Sequence, residues 1–143
     1  MKKAFLAALA VACLLLAGCG NKSERGGDVA GKRTFTLSGP TSATEVKRGE
    51  SRVIRVSLNR DKEFTENVLL AAEPPRGTGL TCEVLDQVVK GDQAHADLKV
   101  SADKGTQLGK HNVRVIATPA KGNAVDLQVV VDVKESPAQE KGR

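Results

Sequence analysis

Apolar and polar residues alternate along most of the chain after residue 33. The pattern is clearest where Ile54, Val56 and Leu58 alternate with an arginine and a serine. A period of two is typical of a strand with one buried face. Seven segments show it: 34–37, 54–58, 68–72, 80–84, 94–100, 111–117 and 125–133. No segment after residue 18 sustains a period of 3.6, so the sequence predicts an all-β protein.

Turns rich in glycine and proline separate these segments, and Gly39-Pro40 interrupts the first of them before residues 45–47 resume it. Alternation on one face favours antiparallel pairing, because parallel strands are usually apolar on both faces. Short strands of this kind bury their apolar faces against a second sheet. We therefore expect an antiparallel sandwich of about seven strands over residues 34–134.

The amino-terminal segment has a different pattern. Lys2 and Lys3 precede an uncharged apolar run over residues 4–17, and the small residue Gly18 stands before Cys19. This is the anatomy of a secretory signal peptide, and the run is too short to span a bilayer as a mature helix. An ordinary secretory cleavage site followed by a chance cysteine remains the alternative.

The run Leu16-Ala17-Gly18-Cys19 resembles the lipobox of bacterial lipoproteins. In that family the chain is cut before the cysteine, here between Gly18 and Cys19. The cysteine sulfur receives a diacylglycerol and the new amino end is acylated. Two or more acyl chains give stable membrane anchoring where one does not. Gly20, rather than an aspartate, follows the cysteine, and in a Gram-negative envelope this resemblance favours the outer over the inner membrane.

These features divide the chain into four parts. A signal peptide over 1–18 precedes the lipidated cysteine and a flexible tether over 19–33, which is polar and rich in glycine. The sandwich over 34–134 and a disordered tail over 135–143 follow. Cleavage leaves 125 residues, which suits one domain.

Charge and cysteine content narrow the function classes. After loss of Lys2 and Lys3 the chain holds 20 basic and 17 acidic residues, a net charge of +3 with the signs interspersed. Such a balance is no signature of nucleic-acid binding. Cys13 leaves with the signal peptide and Cys19 carries lipid, so Cys82 is alone and no internal disulfide is expected.

The run from Leu108 to Thr118, with its glycine followed by alternating valines, resembles the F strand of bacterial immunoglobulin-like domains. Pro74-Pro75-Arg76-Gly77 resembles the loop after the third strand of those domains. The resemblance covers about residues 34–134. His111 stands where that family usually has tyrosine. The resemblance implies a module that binds, spaces or stiffens rather than catalyses.

Candidate chemistry is sparse. His95 is expected on a solvent face and His111 near the inward face, so they do not form a pair, and Cys82 is expected to be a buried hydrophobe. Sequence motifs for zinc proteases, serine hydrolases or phosphate loops are absent. Four acidic loop residues could suggest calcium, but lysines are interleaved with them and no EF-hand pattern occurs: Asp61, Glu63, Asp92 and Asp103. We expect no catalytic site, metal or cofactor.

Aromatic residues are nearly missing. The chain has no tryptophan or tyrosine, and only Phe35 and Phe64 lie outside the signal peptide. Sugar platforms and tight protein interfaces depend on exposed aromatic side chains. A carbohydrate-binding platform is therefore not expected, although sugar binding through polar loops stays open, and a tight protein interface loses support for the same reason.

One basic stretch is a candidate binding site. Six basic residues stand against two acidic ones between positions 47 and 62: Lys47, Arg48, Arg52, Arg55, Arg60 and Lys62. One interpretation is a solvated outer face that also protects an edge strand from pairing. The other is contact with anionic lipid headgroups or an acidic wall polymer.

Together these observations predict a lipid-anchored protein of the bacterial cell envelope with a non-catalytic, immunoglobulin-like interaction or scaffold module. Its expected partners are the membrane, through the lipid, and an envelope protein or anionic polymer. The alternative is an envelope lipoprotein that binds a soluble ligand or ion through its loops.

Overall fold

Two five-stranded β-sheets pack face to face in the structure, a computed structural model that describes residues 21–28 and 33–137. The signal peptide, its cleavage site at Gly18 and Cys19, and residues 138–143 of the expected tail lie outside the described residues. The strands are β1 (Gly26–Asp28), β2 (Arg33–Ser38), β3 (Thr44–Lys47), β4 (Ser51–Arg60), β5 (Val68–Glu73), β6 (Leu80–Val84), β7 (Val88–Val89), β8 (His95–Ala102), β9 (Gly109–Pro119) and β10 (Val125–Lys134). The first sheet has the order β1-β2-β4-β8-β6 and the second β3-β10-β9-β5-β7.

The all-β class is confirmed, and each of the seven alternating segments lies in a strand except for Ala94, which directly precedes β8. Among residues 21–28 and 33–137 there is no helix with the length and apolar character needed to cross a bilayer. The strand count differs from the expected seven because β1, β3 and β7 add to it. β1 and β7 have three and two residues, which is too short to display a period.

The pairing is antiparallel with one exception. β3 runs parallel to β10, with Val46 opposite Val133. Residues 45–47 therefore do not resume the first strand. After Gly39-Pro40 the chain crosses from the first sheet to the second and enters beside β10 in the same direction.

The inward faces of both sheets form one core. The alternating residues Ile54, Val56 and Leu58 of β4 are each at most 3% exposed, and so are Val129, Val131 and Val133 of β10. Burial of each such side chain stabilises the fold by about 1.5–3 kcal/mol. The two phenylalanines pack together at one end of the core, with ring centroids 4.9 Å apart.

The sandwich has two lateral edges. On one side β1 and β2 of the first sheet lie beside β10 and β3 of the second, and β2 contacts β10. We call this side the N-terminal edge. On the other side, the far edge, β6 lies beside β5 and β7.

The segment 21–28 differs from the flexible tether expected there. The side-chain amide of Asn21 donates to the carbonyl of Gln128 at 2.6 Å, and the Gly39 amide donates to the Asn21 carbonyl at 3.0 Å. The Ser23 amide donates to the Leu37 carbonyl at 2.8 Å, while the Leu37 amide donates to the Ser23 hydroxyl. These bonds hold the segment along the N-terminal edge.

The glycines that suggested flexibility are what permits this close packing. A Cβ on Gly26 would lie 2.7 Å from the Phe35 ring and 2.9 Å from the Asn123 carbonyl oxygen. A Cβ on Gly122 would overlap the Gly27 backbone. Only glycine fits where two backbones approach so closely.

Candidate functional site

The six basic residues expected in one patch are divided by the fold. Arg52 and Arg60 lie near opposite ends of β4, eight residues apart, which is about 26 Å along an extended strand. Lys47 and Arg48, which precede β4, lie at the same end as Arg52. Lys62 follows β4 and lies at the end of Arg60. Adjacency in the sequence therefore does not produce a single basic surface.

Two of the four arginines in the set are held by carboxylates. Arg48 pairs with Glu135 at 3.0 Å, and its Nε donates to the Thr106 carbonyl at 2.7 Å. Arg55 pairs across the strands with Asp97 at 3.1 Å. The hydrogen bond and the charge of Asp97 raise the pKa of Arg55. Both guanidinium groups are already occupied by contacts within the protein.

Arg60 is bonded to the backbone of the protein rather than directed into solvent. Its guanidinium donates to the carbonyls of Glu66 at 2.5 Å, Lys90 at 2.8 Å and Val89 at 3.2 Å, and it lies 5.2 Å from the centre of the Phe64 ring. Burial lowers its pKa, but an arginine keeps its charge under all ordinary conditions. The residue ties the loop after β4 to the turn after β7.

The remaining basic residues of the set lie at separate ends. Arg52 and Lys62 are exposed and Lys47 is half-buried. No ion pair to these three occurs within the described part of the chain. Lys47, Arg48 and Arg52 thus share one end of the sandwich, with Glu135 beside Arg48.

An exposed apolar pair lies at the far edge. Leu69 of β5 and Val88 of β7 are cross-strand partners on the outer face of the second sheet, 52% and 47% exposed. Leu85, between β6 and β7, is 50% exposed at the same edge. The sequence carries a signal for this surface that alternation alone overlooks: residues 68–72 are apolar without interruption, so the outer face of β5 is apolar as well as the inner one.

A charged row lies further along the same face. Arg114 of β9 reaches Asp126 of β10 at 3.3 Å and Glu73 of β5 at 3.7 Å. Glu73 has the same orientation as Leu69, since the two are four residues apart on β5. The outer face of the second sheet thus combines an apolar end with a polar row.

A shallow polar cleft opens where residues 21–28 meet the turn before β10. Its volume is about 370 Å³, and it is lined by Glu24, Arg25 and residues 123–126. Glu24 and Asp126 bring carboxylates to it and Arg25 brings a cation. Sequence analysis missed this cleft because residues 24 and 25 were assigned to a tether.

The two histidines are separated and each has a structural bond. His95 lies on β8 of the first sheet, with Nδ1 3.1 Å from the Ser57 hydroxyl. His111 lies on β9 of the second sheet, where its Nε2 donates to the Gln107 carbonyl at 2.8 Å. They do not form a catalytic or metal-binding pair.

Cys82 lies on β6, half-buried against the core rather than fully buried. Burial raises the pKa of its thiol to about 11, so the thiol is protonated at neutral pH and is a poor nucleophile. The acidic residues Asp61, Glu63, Asp92 and Asp103 are distributed over turns at different ends of the sandwich. Within residues 21–28 and 33–137 no three acidic, cysteine or histidine side chains are grouped as metal ligands would be.

Comparison with known proteins gives structural neighbours only. No protein-family model matches the chain, and no curated protein sequence matches it. Domains 4 and 5 of the S-layer protein SbsC match 68% of this chain and 50% of their own length, at 18% identity and a TM-score of 0.48. A structure of domains 4–9 of the same surface layer protein matches 73% of this chain and 18% of its own length, at 14% identity and a TM-score of 0.50.

This chain therefore spans half or less of the length of these neighbours. The match to domains 4–9 shows a shared β-rich fold and nothing finer.

Proposed function

We propose that this protein is a bacterial lipoprotein of the cell envelope whose folded part is a non-catalytic, immunoglobulin-like interaction module. Residues 1–18 are its signal peptide, and Cys19 is the lipidated first residue of the mature chain. The support for the anchor is the run Leu16-Ala17-Gly18-Cys19 behind a charged and then apolar segment. Gly20 after the cysteine favours the outer membrane in a Gram-negative envelope.

The strand order supports the immunoglobulin-like assignment. Such domains place strands A, B, E and D in one sheet and C, F and G in the other. If the seven long alternating strands are lettered along the chain, the first sheet has the order β2-β4-β8-β6, which corresponds to A-B-E-D. The second sheet has β10-β9-β5, which corresponds to G-F-C. A domain of similar fold occurs in a surface layer protein, so a sandwich of this kind is compatible with a cell-surface location.

The observation that carries the interaction role is the exposed Leu69–Val88 pair. Interfaces between proteins have an apolar centre and a polar rim. The outer face of the second sheet offers both, with Leu69 and Val88 at its apolar end and the Arg114 row beside them. The basic residues give less support to an anionic polymer as partner, because Arg48, Arg55 and Arg60 are engaged within the protein.

Site-specific crosslinking in intact cells tests this role. A photoreactive amino acid replaces Leu69 in one variant and Val53 in a matched control. Val53 is 56% exposed on the outer face of the first sheet, so its side chain is as accessible as that of Leu69 but lies on the opposite face of the sandwich. We expect one envelope protein to crosslink at position 69 and not at position 53. Equal capture at both positions, or none at 69, would contradict an interaction surface at the far edge.

The cleft beside Asn123 favours a second candidate, the binding of a small charged solute or ion. Glu24 and Asp126 line this cleft together with Arg25, so it offers both signs of charge, as the binding of a zwitterion would require. The test is thermal unfolding of the protein with calcium chloride and, separately, with single amino acids. A rise in Tm for the wild type that is lost in Glu24→Gln would support this candidate, and an unchanged Tm with all of them would remove it.

A further inference from the structure

The chain between the proposed lipid attachment site and the folded domain is very short. Asn21 is bonded to both sheets, through the Gln128 carbonyl of the second and the Gly39 amide that follows β2 of the first. Only Gly20 separates Asn21 from Cys19. Two residues span at most about 7 Å even when fully extended.

We propose that the N-terminal edge of the sandwich is held directly on the lipid headgroups, with the far edge turned towards the aqueous space. This inference rests on the proposed lipidation of Cys19. A tether of 19–33 would have let the domain rotate and move away from the bilayer. The bonds of residues 21–28 instead place the point of attachment at the side of the sandwich, within one or two residues of the N-terminal edge.

The surface around Asn21 has the chemistry for headgroup contact. Lys22 and the hydroxyl-bearing Thr41 and Ser42, which follow Pro40, are exposed there. A cation and hydroxyl groups can bond to the phosphate and ester oxygens of lipid headgroups. The large exposed apolar side chains at the far edge, among them Leu69 and Val88, lie on the other side of the sandwich. The contact is therefore polar and lies at the level of the headgroups.

The geometry also sets a distance for the far edge. Four strand spacings separate β1 from β6 in the first sheet, which amounts to about 19 Å. A domain lying on its N-terminal edge therefore presents β6 and β7 about 19 Å above the headgroup level. The proposed interaction surface at Leu69 would then lie on a side of the domain, near the edge that is remote from its own membrane.

The test uses the mature lipidated protein in phosphatidylcholine vesicles that carry a photoreactive group on the lipid headgroup. Crosslinked peptides are mapped by mass spectrometry. We expect crosslinks to residues 21–28 and 38–43 to exceed those to residues 80–88 several-fold. A matched variant with twelve glycine and serine residues inserted between Gly20 and Asn21 should lose this preference, since the inserted chain frees the domain.

The mass of the Cys19 peptide, measured in the same samples, tests the lipid anchor separately from the orientation of the domain. Lipid on Cys19 together with equal crosslinking of both edges would overturn the orientation and leave the anchor intact. A Cys19 peptide without lipid would overturn both. Circular dichroism of the insertion variant confirms that its domain is folded.

Discussion

Gly27 and Asn123 exchange two backbone hydrogen bonds of 2.9 Å each. Gly27 belongs to β1 in the first sheet, and Asn123 lies in the turn between β9 and β10 of the second. The pair therefore joins the two sheets across the N-terminal edge. The same edge holds Asn21, so this pair adds to the bonds that fasten the N-terminal segment to the domain.

Gly26→Val is expected to undock the N-terminal segment. The new side chain would overlap the Phe35 ring, whose nearest atom lies 2.7 Å from the position of a Cβ. Overpacking of this kind costs about 1–3 kcal/mol of the free energy of unfolding. Urea denaturation measures that loss. Hydrogen exchange should show faster exchange of the Ser23 amide, which is bonded to the Leu37 carbonyl.

Gly105→Ala is the matched control, because no atom lies within 4 Å of a Cβ at that position. It should leave both measurements unchanged. Protection of the Ser23 amide that survives in Gly26→Val would mean that the segment is held by Asn21 and Ser23 without β1.

Arg60→Lys is expected to destabilise the protein although it keeps the charge. A lysine has one ammonium group and cannot reproduce the fork that reaches the carbonyls of Glu66, Val89 and Lys90. These hydrogen bonds are partly buried or exposed, so we expect urea denaturation to show a loss of about 0.5–1.5 kcal/mol. Arg52→Lys, at the other end of β4, should change the free energy of unfolding by less than about 0.5 kcal/mol. Equal effects at the two positions would show that the contacts of Arg60 do not contribute to stability.

The long strands could be predicted from the sequence and the edges could not. Alternation in β4 and β10 identifies the buried faces because a half-buried strand selects apolar side chains at every second position. β1 leaves no such pattern, since Gly26 is selected by the Phe35 ring packed over it and not by burial of a side chain. A glycine that allows close packing and a glycine in a flexible linker look the same in a single sequence.

The candidate basic site shows a second limit of sequence reasoning. Arg52 and Arg60 are near in sequence, but an extended strand carries them to opposite ends of the domain. The partner of Arg55 is Asp97, 42 positions away, and pairing over that separation depends on the register of β4 with β8. Charge counts along a strand therefore overstate the charge that a surface presents.

Binding to anionic vesicles is expected to depend little on any one of these cations. A basic residue close to an anionic membrane contributes about 1 kcal/mol, and the exposed members of the set are divided between two ends. In the unlipidated Cys19→Ala protein, Arg52→Gln and Lys62→Gln should each weaken vesicle binding by no more than about fivefold at physiological salt, which corresponds to about 1 kcal/mol. A much larger loss for Arg52→Gln alone would instead define an anion-binding site at the end of the sandwich that carries Lys47, Arg48 and Arg52.

The Cys82 thiol is expected to resist alkylation in the folded protein. Burial raises its pKa to about 11, so the thiolate, which is the reactive form, is scarce at pH 8. The rate of reaction with iodoacetamide should rise through pH 9 and 10 and have its midpoint near the folded-state value. Protein unfolded in urea should react readily at pH 8, since its thiol has an ordinary pKa. A midpoint near 8.5 in the folded protein would show that the thiol is accessible to water.

Because burial raises the pKa of Cys82, the free energy of unfolding depends on pH in the alkaline range. The folded state holds the thiol proton more tightly than the unfolded state does, so unfolding at a pH between the two pKa values releases a proton and becomes easier as pH rises. The contribution of Cys82 is fully present below the unfolded value, near 9, and falls as the pH approaches 11. Lysines and arginines keep their own pH dependence, so the measurement is the difference in urea midpoint between the wild type and Cys82→Ala. That difference should be constant from pH 6 to 8, and above pH 9 it should shift in favour of the alanine variant. A difference that stays constant up to pH 11 would contradict the burial of the thiol.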